Sequence, residues 1–134
     1  TSCTDITGFG LMGHLSNLIN PVGKAATIEL DQLPIIDGIT ELLEAGVHTH
    51  AGDRAQIEYA DRQGDLGTLQ NPHFHAAFLP ETSGGILATV RPGLYDSLTS
   101  VVEDAGQTLT VIGQVTVRNS ACLDDYRFAG ITLS

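Results

Sequence analysis

The sequence predicts an α+β domain in which helices pack on one face of a single sheet. Two long segments carry apolar residues at helical spacing on one face only, and four shorter segments are rich in β-branched or alternating apolar residues. The order is helix, strand, helix, long loop, strand, helix, strand, strand. Helices that are apolar on one face only, mixed with strands, are typical of a domain in which the helices lie on one face of a sheet.

The first part of the chain predicts a helix, a strand and a short helix. Apolar residues recur at helical spacing over residues 9–20, and Asn20-Pro21 ends the pattern because the residue before a proline avoids the helical conformation. Residues 26–30 alternate in character, which predicts a strand. Asp37 is then expected to cap a short helix that stops at Gly46.

The middle of the chain, residues 47–72, is predicted to be the least regular stretch. It holds three glycines and scattered charges, and a long loop inside a compact domain is usually functional or mobile. Residues 73–79 fit either a helical turn or a strand. The alternatives stay open at this point.

The last part predicts two further strands around a helix, and then a final strand. Residues 84–91 read as a strand entered through two glycines, and residues 92–106 as a helix with an early proline and a terminal glycine. Residues 108–117 are rich in β-branched residues, and Gly113 is expected to mark a bulge there. Residues 126–133 form the final predicted strand.

Composition limits the class of protein. A length of 134 residues predicts a single domain over 1–134, and the opening "TSC" leads us to expect further residues upstream. The net charge of −10 argues against partners such as nucleic acid and anionic membranes, and the apolar runs are too short to cross a bilayer. Two cysteines do not form a disulfide framework, so free thiols in a reducing cytoplasm are expected, although a Cys3–Cys122 bond stays open.

The stretch "TDITGFG", residues 4–10, combines the parts of a metal–phosphate site. Asp5 offers the oxygen ligands that Mg²⁺ accepts beside phosphate oxygens. The helix that follows would point its positive end at the same place. Hydroxyls and accessible backbone N–H groups come from Thr4, Thr7, Gly8 and Gly10. The alternative is a capped helix start with a glycine turn.

A second stretch, "PETSGG" at residues 80–85, has similar parts. Thr82, Ser83 and Gly84 would line an anion or a cleft just before a predicted strand. The alternative is an ordinary loop that leads into that strand.

Together, "CTDITGFGLMGHL", "PETSGGILATV" and "VIGQV" resemble the C-terminal domain of selenophosphate synthetase (selenide, water dikinase), of the aminoimidazole ribonucleotide synthetase superfamily. The resemblance covers most of residues 2–117. It implies helices packed on one face of a mostly antiparallel sheet, a homodimer, and ATP-dependent phosphorylation of selenide to selenophosphate with Mg²⁺. It also implies that Asp5 is the metal ligand and that Thr7, Gly8 and Gly10 lie near the phosphates.

The same resemblance implies that ATP and selenide bind mainly through an N-terminal domain that this chain lacks. The chain alone would then complete an ATP–Mg²⁺ cleft without being catalytic, and it holds none of the family's catalytic residues. Three positions depart from the family pattern, in "LPETSGG" and "HAGDRAQ": Leu79, Glu81 and Ala55. These departures leave two alternatives, a degenerate domain kept for packing or dimerisation and a relative that acts on another substrate.

Histidines form a further set of candidates. Two pairs lie two residues apart, so that in a strand each pair would share one face and the two pairs could hold zinc: His48 with His50, and His73 with His75. Asp53 and Asp61 flank them. The alternative is a set of polar loop histidines. A Cys3–His14 nucleophile pair is conceivable, but no third member is visible.

Overall fold

The computed structural model describes residues 2–63, 71–117 and 131–133, and it has the predicted α+β arrangement. The helices are α1 (Gly10–Ile19), α2 (Ile39–Glu44), α3 (His50–Gln63), α4 (Pro72–Ala76) and α5 (Tyr95–Asp104). The strands are β1 (Ser2–Asp5), β2 (Lys24–Ile28), β3 (Ile86–Thr89), β4 (Gly113–Val117) and β5 (Ile131–Leu133). Within these ranges, no helix is both long and apolar enough to cross a bilayer.

The described strands form two small sheets, where the sequence analysis expected one. Strand β1 pairs antiparallel with β3, and β2 lies between β4 and β5. The β2–β4 pair is antiparallel and the β2–β5 pair is parallel, so the pairing is mostly antiparallel. Apolar and β-branched patterns identify strands but carry no information on which strands pair, which is why this split was missed.

The core lies between α1 and strand β2. Met12, Leu15 and Ile19 of α1 are buried in one cluster with Ala26 and Ile28 of β2. These α1 residues recur at intervals of three and four, so they share the face that the sequence pattern predicted to be apolar. Complete burial of each large apolar side chain stabilises the fold by about 1.5–3 kcal/mol.

An aromatic cluster joins α3 to α4. The ring centroids of Phe74 and Phe78 are 5.0 Å apart, and Tyr59 of α3 lies 5.8 Å and 5.7 Å from them. The rings are tilted against one another, the kind of arrangement that aromatic pairs prefer to a face-to-face stack. This cluster fixes α4 against the middle of α3.

The ends of the helices agree in part with the sequence predictions. Gly46 and Gly106 follow the C-cap residues of α2 and α5 and have positive φ angles of 80° and 73°, as expected of terminating glycines. The prediction that Asp37 caps α2 was wrong, because Gly38 is the N-cap residue. The Ile39 N–H donates instead to the carbonyl of Ile36, at 3.1 Å.

Strand β4 corrects the prediction of a bulge. Gly113 pairs in register with Ile28, and the strand covers only the second half of the predicted segment 108–117. A Cβ at Gly113 would collide with the carbonyl oxygen of Thr27, so the glycine permits a close approach of β2. Of the final predicted strand, residues 126–130 lie outside the described residues, as does Cys122.

Over His50–Gln63, helix α3 overturns the prediction of a long irregular loop; residues 64–70 of that predicted loop lie outside the described residues. Its buried face carries Gly52, Gln56, Tyr59 and Ala60, which follow one another at helical intervals. Most of these side chains are small or polar, so the buried face has no apolar signature. The helix was missed because its packing depends on close approach and an aromatic ring rather than on aliphatic residues.

Candidate functional site

The structure brings the two predicted glycine motifs together at the ends of β1 and β3. Asp5, the last residue of β1, is the register partner of Ile86, the first residue of β3. The ladder continues past the strands, since the Ile6 N–H donates to the Gly85 carbonyl at 2.9 Å and the Gly84 N–H donates to the Ile6 carbonyl at 3.1 Å. We call residues 4–10 together with residues 80–85 the paired turns.

Further contacts hold the paired turns at short range. The Glu81 N–H donates to the Thr7 carbonyl at 3.0 Å. A Cβ on Gly84 would lie 2.6 Å from the Ile6 carbonyl oxygen, so only glycine allows this approach without a shift of the backbone. One use of Gly84 is therefore the packing of one turn against the other.

Asp5 is exposed at the open side of the paired turns. Among the described residues, no hydrogen bond or ion pair engages its carboxylate; the nearby Thr4 hydroxyl donates to the Asp5 backbone carbonyl, at 3.2 Å. Gly8, Thr82 and Ser83 are exposed as well. The carboxylate thus keeps its oxygens available for a ligand from outside the chain.

Gly10 is placed differently from the other glycines of the motif. It is buried with φ +64°, and a Cβ there would lie 2.7 Å from the Leu79 carbonyl oxygen. Its N–H donates to the Thr7 carbonyl at 2.9 Å, and the Met12 N–H donates to the Ala77 carbonyl at 3.1 Å. Two of the N–H groups at the start of α1 are thus used within the fold.

His14 holds the first turn in place, a role that the sequence analysis missed. Its Nε2 accepts a hydrogen bond from the Thr7 N–H at 3.0 Å and lies 3.1 Å from the Thr7 hydroxyl. Its ring lies against Phe9, with 5.7 Å between centroids. Helical side chains lean toward the N-terminus, so a residue in the second turn of α1 can reach back to the segment before it. The seven-residue spacing of Thr7 and His14 was therefore the signal in the sequence that could have predicted this contact.

The structure does not support a Cys3–His14 nucleophile pair. Cys3 is exposed on β1, where its register partner is Ala88. The Nε2 atom of His14 is engaged by Thr7, and within the described residues no hydrogen bond joins the thiol to the imidazole.

The four candidate zinc histidines separate in the structure. His73 and His75 lie in α4, not in a strand, so the prediction that such a pair shares one face was wrong. A two-residue step turns about 200° around a helix. The Nδ1 of His73 lies 3.0 Å from the Leu30 carbonyl, while His75 faces His48 with ring centroids 4.9 Å apart.

The other candidate zinc ligands, His50, Asp53 and Asp61, also lie in different places. His50 is the first residue of α3, and Asp61 is exposed near its end. Asp53 lies with its Oδ1 3.6 Å from the Nδ1 of His48. One histidine of each pair, with Asp53, therefore forms a group that the spacing alone did not identify.

The positions that depart from the family pattern occupy distinct environments. Ala55 is half-buried and packs against the hydrophobic core. Leu79 is half-buried, whereas Glu81 is exposed. Ala55 is therefore a packing residue in this chain.

Comparison with known proteins agrees with the α+β fold. A family model described as "AIR synthase related protein, C-terminal domain" matches residues 1–124, and the chain belongs to that family. Among curated relatives it is similar to proteins named selenide, water dikinase, as the motifs indicated. The chain is 31% identical over 120 residues to the protein of Colwellia psychrerythraea, and this aligned segment covers 90% of this chain and 34% of the relative.

Two further relatives with the same name give similar figures. The Geobacter metallireducens protein is 31% identical over 115 residues, which is 86% of this chain and 33% of the relative. A protein of Escherichia coli O139:H28 is 32% identical over 114 residues, with coverages of 84% and 31%. The chain therefore spans about a third of the length of these relatives.

Proposed function

We propose that this chain is the C-terminal domain of a selenophosphate synthetase-like enzyme and completes its ATP–Mg²⁺ cleft. The enzyme would phosphorylate selenide at the expense of ATP, in the cytoplasm and as a homodimer. ATP and selenide would bind mainly through an N-terminal domain, so this domain alone would not be catalytic. The observation that carries the proposal is the exposed Asp5 carboxylate beside the second turn, which no hydrogen bond or ion pair from the described residues engages.

Asp5 fits the role of a magnesium ligand. Mg²⁺ prefers oxygen ligands and is usually bound through one or two carboxylates together with substrate phosphates and water. Within the described part of the chain, nothing competes for the Asp5 carboxylate. When bound, Mg²⁺ would neutralise charge on the phosphate oxygens.

The other residues of the paired turns would border the phosphates. The exposed Thr82 and Ser83 would offer hydroxyl donors, and the open space around Gly8 leaves its backbone accessible. Thr7, fixed by His14, would set the shape of the turns around the phosphates together with the half-buried Thr4, the buried Gly10, and Gly84, whose backbone lies close to the Ile6 carbonyl.

Charge explains why a metal ligand matters at this place. The chain carries a net charge of −10, which by itself repels a polyphosphate. A divalent cation shared between Asp5 and the phosphates would offset that repulsion locally. Positive charge from the N-terminal domain would add to the same effect.

A second candidate function is a non-catalytic domain of the same family, kept for packing or dimerisation. The specific observation in its favour is that Ala55, one of the three positions that depart from the family pattern, packs against the core. The two candidates differ in whether ATP turnover depends on Asp5.

Replacement of Asp5 tests the proposal. In the full-length protein, Asp5→Ala should lower selenide-dependent ATP turnover by at least about 100-fold, because a metal supplies several kcal/mol of charge stabilisation. The matched control is Asp37→Ala, since Asp37 is also exposed but lies in the connection before α2. Its turnover should equal that of the wild type, and circular dichroism should show all three proteins folded.

Two results would decide against the proposal. If folded Asp5→Ala turns over ATP at the wild-type rate, Asp5 is not a metal ligand. If the wild-type protein shows no selenide-dependent turnover, the non-catalytic candidate is favoured.

A further inference from the structure

We propose that His48, Asp53 and His75 bind a zinc-class divalent cation, at a site separate from the paired turns. One ligand atom from each of the three side chains lies within 4.8 Å of the other two. Zinc–ligand bonds of about 2.0–2.1 Å place tetrahedral ligand atoms about 3.4 Å apart. Side-chain rotations that move these atoms by about 1 Å would bring them onto one ion.

The start of α3 explains why His48 and Asp53 meet. The Thr49 hydroxyl accepts a hydrogen bond from the Gly52 N–H at 3.3 Å, so Thr49 caps the helix. His48 then precedes the cap and Asp53 is the fourth helical residue. Hydrophobic side chains in these two positions often pack against each other, so the positions are neighbours at a helix start. Here the Nδ1 of His48 is 3.6 Å from the Oδ1 of Asp53.

Helix α4 supplies the third ligand. The buried Gln56 side chain of α3 donates to the His75 carbonyl at a long 3.5 Å. The His75 ring lies 4.9 Å from the His48 ring and edge-on to Phe74, with 6.3 Å between the latter centroids. The third ligand is therefore held by the packing between α3 and α4.

The donor set selects the class of cation. Two imidazoles and one carboxylate suit zinc and related first-row ions, whereas Mg²⁺ and Ca²⁺ prefer oxygen ligands alone. The side chains of His48 and Asp53 are 31% and 40% exposed, which leaves an entry path and room for water as a fourth ligand. With both histidines neutral the site carries one negative charge, which favours a divalent cation.

A bound ion would tie three parts of the chain together. It would join the segment before α3, the first turn of α3 and helix α4. Because the site forms only in the folded chain, zinc would stabilise the folded state by mass action.

Zinc titration of the full-length protein tests the site, with Zn²⁺ alone as the probe and a chromogenic chelator as the competitor. His48→Ala and Asp53→Asn should each weaken binding of one zinc equivalent by at least about tenfold, since loss of even an outer-shell partner costs about 10–100-fold. The matched control is His50→Ala, which removes an exposed histidine two residues from His48 and outside the group. It should leave the affinity within about twofold of the wild type.

Co²⁺ provides an independent measurement. The wild-type protein should give a visible spectrum of bound Co²⁺ that is lost in Asp53→Asn, a variant that keeps the size of the side chain, and is retained in Asp5→Ala. Thermal unfolding with and without Zn²⁺ should show stabilisation of the wild type, His50→Ala and Asp5→Ala, but not of His48→Ala or Asp53→Asn. Failure of ATP turnover would not affect these readouts, so the two proposals are tested separately.

The proposal is overturned if His48→Ala and Asp53→Asn bind zinc as the wild type does, because the 3.6 Å contact is then only an ion pair. It is also overturned if His50→Ala loses as much affinity as His48→Ala, since that result means capture by exposed histidines without a defined site.

Discussion

The paired turns and helix α3 differ in how far their structure can be predicted from the local sequence. The turns contain closely spaced glycines, hydroxyls and an acid, and the structure joins them by direct backbone hydrogen bonds between Ile6, Gly84 and Gly85. Helix α3 has no apolar stripe, and it packs through Gly52 and the buried Gln56 instead. A motif that serves a backbone conformation is visible in a single sequence, whereas a helix that depends on its neighbours is not.

The difference extends to the side chains that each region brings together. In the turns, His14 reaches back seven residues to Thr7, within one local segment. In the α3 region, His75 meets His48 across a separation of 27 residues, through the docking of α4. The first contact depends on helix geometry alone, and the second depends on tertiary packing.

The largest expected effect concerns Gly10, where the turn is most constrained. Gly10→Ala should destabilise the protein by about 3 kcal/mol, because it combines an unfavourable left-handed conformation with overpacking against a backbone oxygen 2.7 Å from the new Cβ. Urea unfolding measures the change. The matched control is Gly8→Ala, where nothing lies within 4 Å of the new Cβ, and its stability should change by less than about 0.5 kcal/mol. Equal effects at both positions would contradict the packing role of Gly10.

A smaller effect is expected at the start of α3. Thr49→Ala should cost about 1 kcal/mol in urea unfolding, because it removes the N-cap acceptor of the Gly52 N–H. It should also weaken zinc binding, since the cap sets the positions of His48 and Asp53. Thr49→Ser keeps the hydroxyl and should restore both properties. Wild-type behaviour of Thr49→Ala would show that tertiary packing alone positions this helix start.

Much of the fold followed from the sequence, and the rest did not for physical reasons. The helical spacing predicted α1 and α5 because both have an apolar face. The ends of α2 and α5 were also predicted, because glycine readily adopts the left-handed conformation that ends a helix, as Gly46 and Gly106 do here. The division of the strands into two sheets was not predictable, because pairing depends on contacts between distant segments.

For the candidate site residues, too, the sequence predicted less where the structure depends on contacts between distant segments. The position of Asp5 at the end of a strand, beside the second motif, was not predicted from the sequence, because it depends on the pairing of β1 with β3. The role of Asp5 as a metal ligand stays a prediction. The zinc hypothesis named four histidines and paired them by strand spacing. The structure takes one from each pair, because α4 is a helix and separates His73 from His75.

The most direct test of the central claim is paramagnetic broadening by Mn²⁺ bound with ATP in the full-length protein, with Mn²⁺ in place of Mg²⁺. The account predicts that the amide resonances of Asp5 and Gly8 lose intensity only when ATP and Mn²⁺ are both present, and that Asp5→Ala abolishes the loss. Unchanged intensities at Asp5 and Gly8 while the wild-type protein holds Mn²⁺–ATP would contradict a metal–phosphate role for the paired turns.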